Sequence, residues 1–97
     1  MARVVLNDAY LAAFEHMQLA GEEVISLKLR TQLLLEVKKT IEAKRWSRTK
    51  AAAVLKVKAP RVSEIMGLRI DKFSVELLLK YLDRLGKRVN LNISTKR

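Results

Sequence analysis

RTKAAAVLKVKAPRVSEIM, residues 48–66, decides how this chain folds. It holds three consecutive alanines, a proline and five cations. Alanine is the strongest helix former, and Ser47 supplies an N-cap, so a helix runs over about 48–55. Residues 56–58 form a turn. Pro60 then suits the first turn of a second helix, where its missing N–H costs nothing. That helix ends near Met66, with Gly67 as the stop signal. The small residues let the two helices approach closely. Ala52 is placed at the crossing, and Ala51, Leu55, Val57, Val62 and Ile65 face a core. Lys58, Ala59, Arg61, Ser63 and Glu64 are left for the outer face.

The flanks read as further helix. Leu33, Leu34, Val37 and Ile41 mark the apolar face of a long helix from about Ser26 to Arg45, with Lys38, Lys39, Glu42 and Lys44 on its wet side. LAGEE (19–23) reads as a break. Ahead of it, Asn7 or Asp8 could cap a short helix carrying Tyr10, Leu11, Phe14 and Met17. After residue 66, Ser74 caps a helix over 75–85, with Glu76 in its first turn. Leu78, Leu82 and Leu85 form one face of it, widened by Val75, Leu79 and Tyr81, and Gly86 ends it. The period then drops to two: Val89, Leu91 and Ile93 alternate with Asn90 and Asn92, which reads as a strand with one apolar face. A lone strand is poorly stable. The expectation is that two copies pair these strands across a two-fold axis, through Val89, Leu91 and Ile93. The alternatives are pairing with residues 2–6 or an extended tail.

These elements predict an all-α fold of about five helices with one C-terminal strand. Three segments make up one globular domain: an N-terminal segment (1–25), a central body (26–86), and a strand with a basic tail (87–97). Length agrees, at 97 residues, and hydrophobic residues are 49% of the chain, enough for a core. There are no cysteines, which removes disulfides and thiol chemistry. No secretory h-region and no membrane-length apolar run are present, so a cytoplasmic protein without a membrane partner is expected. No nucleophile–base cluster, paired carboxylates or phosphate loop is visible, and no enzyme activity, cofactor or metal site is expected. His16 is the only histidine and reads as solvated. Trp46 reads as a cover over the core edge, and Tyr10, Phe14 and Met17 as packing.

Twenty Lys and Arg against ten Asp and Glu give a net charge of +10. Such a balance points to a polyanion, nucleic acid above all. Here the residues resemble a known family. A-P-R-V-S (59–63), D-K-F-S (71–74) and L-G-K-R-V (85–89) stand in the order and spacing of the Xre/Cro-type helix-turn-helix proteins. The likeness is nearest to their small antitoxin and autorepressor branch and covers about residues 14–93. It implies a dimer on operator DNA, with the helix at 59–66 as recognition helix. The chain departs from the family pattern at three places. Lys56 replaces a turn glycine, Lys58-Ala59 replaces Ser-Gln, and Gly67 sits one residue before the usual glycine, which falls on Leu68.

The residues receive roles accordingly. Arg61, in the first turn of the recognition helix, is the leading base contact, since Arg reads guanine O6 and N7. Ser63, Ala59 and Glu64 are further base-contact candidates: Ala59 through a thymine methyl, Glu64 by accepting from cytosine N4. Arg48 and Lys58 sit at helix N-termini as phosphate contacts, with Lys50, Arg69 and Lys72 as weaker ones. The expected function is a sequence-specific regulator, a repressor on a palindromic duplex site. One alternative is an antitoxin that neutralises a small toxin enzyme by protein–protein contact and autoregulates its operon. Another is a low-selectivity nucleic-acid-binding accessory protein.

Overall fold

The computed structural model describes residues 2–4 and 21–94. The expected helix over Tyr10 to Met17, and His16 with it, lies outside them. In chain order the elements are β1 (Ala2–Val4), α1 (Gly21–Lys44), α2 (Arg48–Leu55), α3 (Ala59–Met66), a 3-10 turn (Ile70–Lys72), α4 (Val75–Arg84) and β2 (Val89–Leu91). Helix α1 supplies Leu33, Leu34, Val37 and Ile41 to the core, as its periodicity predicts. Ala51, Ala52 and Leu55 join from α2, Val62 and Ile65 from α3, and Leu78, Tyr81 and Leu82 from α4. Phe73, just before α4, completes the set. Burying each large apolar side chain contributes about 1.5–3 kcal/mol, so the four helices stand or fall together.

Some boundaries differ from the sequence expectation. Within the described residues helix α1 covers Gly21–Lys44, so residues 21–23 belong to it and are no break, and the segment boundary at 25/26 falls inside a helix. Extending the helix buries Val24, which is only 2% exposed. Leu79, expected on the apolar face of α4, is 38% exposed, because the buried side of that helix is set by Leu78, Tyr81 and Leu82.

The C-terminal strand has a partner in its own chain. β2 pairs parallel with β1, Ala2 opposite Val89, Arg3 opposite Asn90 and Val4 opposite Leu91. This is the alternative of pairing with residues 2–6, so the expectation that Val89, Leu91 and Ile93 need the same strand of a second copy as their mate is corrected. A parallel pair needs a long crossover, and the helical body provides it. Val89 packs against the core, Leu91 is 56% exposed, and Ile93, beyond the strand, is 91% exposed. The apolar face expected from the alternation thus runs off the body.

Helix ends explain the turn chemistry. The Lys56 N–H reaches the Ala53 carbonyl at 3.3 Å and the Val57 N–H reaches Ala52 at 3.0 Å. This crossed pair of bonds is a Schellman stop. It requires a left-handed residue, and Lys56 takes that place at φ 59°, ψ 46°. The next helix stops the same way. Leu68 bonds to Ile65 and Arg69 to Glu64, each at 3.0 Å, with Leu68 at φ 53°. Gly67 stands one residue too early, at φ −84°. Arg45 after α1 is also left-handed, at φ 54°. After α4 the left-handed place is filled by Gly86, at φ 77°. A left-handed residue with a Cβ costs about 1–2 kcal/mol. Lys56 is exposed, so Lys56→Gly removes strain without removing packing. It is expected to add about 1 kcal/mol and raise Tm by about 4–8 °C, read by thermal circular dichroism.

Candidate nucleic-acid interface

Helices α2 and α3 are joined by the Lys56 turn, with Ala51 and Ala52 buried between α2 and the core. The α2 N-terminus is capped as predicted: the Ser47 hydroxyl accepts from the Lys50 N–H at 3.1 Å. Lys58 occupies the N-cap of α3 with no side-chain hydrogen bond, and Pro60 lies in the first turn. A lysine has no acceptor to offer, so the cap that serine would give is lost. Neither α2 nor α3 has an acidic residue in its first turn. Helix α4 differs: Ser74 accepts from Leu77 at 3.1 Å and Glu76 follows.

Arg48, Lys50, Lys58, Arg69 and Lys72 are all exposed. Arg48 and Lys50 flank the start of α2, Lys58 the start of α3, and Arg69 and Lys72 the segment after α3. Arg69 Nε lies 3.8 Å from Asp71, an exposed pair of small worth. On α3, Ala59, Ser63 and Glu64 are half-buried. Trp46 covers the edge of the core, as its position predicts.

Arg61 has several partners within the protein. Its Nε donates to the Tyr81 hydroxyl at 3.3 Å, Nη1 to Glu64 Oε1 at 3.3 Å and Nη2 to the Lys72 carbonyl at 3.0 Å. The guanidinium carbon stands 4.4 Å from the centre of the Phe73 ring. Phe73 in turn meets Tyr81 edge to face, ring centres 6.2 Å apart and planes at 74°. The side chain is 28% exposed. The hydrogen bond to Tyr81 raises the Arg61 pKa against the opposing effect of burial, and Glu64 adds to the rise. Arg61 thus lies folded against the protein. The reason is the company it keeps: an aromatic face, a phenol, a carboxylate and an open carbonyl within reach of one planar fork.

Sequence reasoning left out the seat of Arg61, which Phe73 and Tyr81 build. It also left out Arg84, whose Nη1 donates to the Leu55 carbonyl at 2.8 Å and closes the C-terminal end of α2. The signal for the first was two aromatics eight residues apart, flanking a helix start. The second had none, since it joins positions 29 residues apart.

Two short helices joined by a left-handed turn, the second with exposed Lys58 at its start, are the arrangement of a helix-turn-helix DNA-binding protein. The family model described as a helix-turn-helix domain matches residues 13–94, and the chain belongs to that family. No curated protein matches the chain, and no solved structure does. No helix among the described residues is long and apolar enough to cross a membrane.

Proposed function

We propose that this chain is a sequence-specific transcriptional regulator of the Xre/Cro type, a repressor that binds a palindromic duplex site as a homodimer and does no catalysis. One observation carries the reading: the N-termini of α2 and α3 lack acidic residues in their first turns and are flanked by exposed Arg48, Lys50 and Lys58. A helix start carries partial positive charge and free N–H groups, a natural phosphate seat. Two such units on a dyad would set their recognition helices about 34 Å apart, one duplex turn. Leu79, Leu91 and Ile93 are exposed apolar residues around the C-terminal strand, and they give a second copy something to cover.

A second reading has its own support. Ala59 stands where a hydrogen-bonding side chain would read a base, Lys58 leaves α3 uncapped, and Arg61 is tied to the protein. These favour backbone binding of low selectivity. The test is fluorescence anisotropy on a duplex enriched by the protein from a randomised library, against a scrambled duplex of the same composition. Specific regulators favour their site by about 10³-fold or more. That ratio is expected here, and equal affinity would leave the low-selectivity reading instead.

A further inference from the structure

We infer that Arg61 is a positioning residue for sequence discrimination, acting through Glu64 without touching a base itself. The inference rests on the DNA-binding reading above. Arg61 sits on α3, and its guanidinium joins that helix to two separate pieces of the body: the Lys72 carbonyl of the 3-10 turn and the Tyr81 hydroxyl of α4. Phe73, 3% exposed, lies under its plane. Three nitrogens and one face are thus committed to the protein, and a bidentate reach to guanine would compete with all of them. Glu64 is held by the same group, Oε1 on Nη1, and its side chain is 31% exposed.

A lone carboxylate facing a duplex is repelled by phosphates. Paired with a cation on its own helix it is tolerated there, and it keeps acceptor capacity for a cytosine amino group. The geometry therefore divides the labour. Glu64 supplies the chemistry that distinguishes a base, and Arg61 fixes where that carboxylate stands and how α3 is set against α4. Tyr81 is the check on this division, because it is 1% exposed and touches no duplex.

The experiment compares wild type, Arg61→Lys, Tyr81→Phe, the double variant and Glu64→Ala on the selected duplex and on single-base-pair variants of it. Each is read at two salt concentrations, well below its own Tm. Lysine keeps the charge but loses the planar fork and the ring stack. Phenylalanine removes one hydroxyl and leaves the core. Both single variants are expected to lose about tenfold in discrimination, the scale of one hydrogen bond to a charged group. The loss should fall at the base pair that Glu64→Ala also relaxes, with an unchanged salt slope and with the double variant no worse than Arg61→Lys. Gly86→Ala, strained at φ 77°, serves as the destabilised control and should lower Tm without moving discrimination.

Unchanged discrimination in Tyr81→Phe overturns the inference. So does a loss in Arg61→Lys at a guanine that Glu64→Ala leaves intact, which is direct base contact. A shallower salt slope in Arg61→Lys overturns it as phosphate contact. Failure of the wild type to bind duplex at all rejects the DNA-binding reading itself and the inference with it, so the two failures are told apart.

Discussion

Raising salt from about 50 to about 200 mM is expected to weaken duplex binding by about 10³–10⁵-fold. The expectation follows from where the charges stand. Net charge is +10, and the five exposed cations Arg48, Lys50, Lys58, Arg69 and Lys72 cluster around α2, α3 and the segment after them. If all five met phosphate in each protomer of a dimer, the log–log slope would approach about −9. Arg69 is partly engaged by Asp71, which moves the slope toward the shallower side. Lys58 is the most telling of the five. A cation at a helix start is unfavourable by about 0.3–1 kcal/mol in the free protein, and a phosphate arriving there reverses the sign. Lys58→Ala should therefore weaken binding to selected and scrambled duplexes alike and reduce the slope by about one per protomer, while leaving Tm unchanged or higher. Anisotropy titrations over a salt series measure both. A slope near zero would mean that these cations meet no polyanion.

The body was legible because its signals are local. Leu33, Leu34, Val37 and Ile41 repeat at helical spacing, and all four are buried. Ser47 and Ser74 cap as they read, since a cap needs only its own helix. The left-handed place at Lys56 was legible only through the resemblance, which puts a turn glycine there. Leu68 was found in the same way, as the place of a missing glycine.

What the sequence hid was non-local. The partner of β2 is β1, at the other end of the chain; residues 2–6 stood only as an alternative to a second copy, because alternation names a strand without choosing between mates. Arg61 shows the same limit at the site. Its place in the first turn of α3 argues for exposure, and nothing in residues 58–66 announces a ring at 73 or a phenol at 81. The charge of a residue is written in the sequence. Which groups spend that charge is decided by packing between segments far apart in the chain, here the contact of α3 with the start of α4 and with Tyr81.

Phe73→Ala is expected to cost about 3–5 kcal/mol, the range for truncating a buried aromatic. For a domain of this size that lowers Tm by roughly 15–30 °C. Phe73 belongs to no helix, yet it is 3% exposed and sits among Tyr81, the core residues of α4 and the guanidinium of Arg61. Removing the ring opens a cavity, forfeits an edge-to-face pair worth about 0.5–1.5 kcal/mol, and strips the floor from Arg61. Phe73→Leu separates these effects. Leucine keeps most of the apolar volume at a cost under about 1.5 kcal/mol for the packing, and it loses the cation–ring contact, about 0.5–2 kcal/mol. Far-UV circular dichroism melts of both variants decide the matter. If Phe73→Leu falls nearly as far as Phe73→Ala, the ring's contacts to Arg61 and Tyr81 dominate. A fall of only a few degrees in Phe73→Ala would mean that the start of α4 is not part of the core, and that Arg61 rests on nothing fixed.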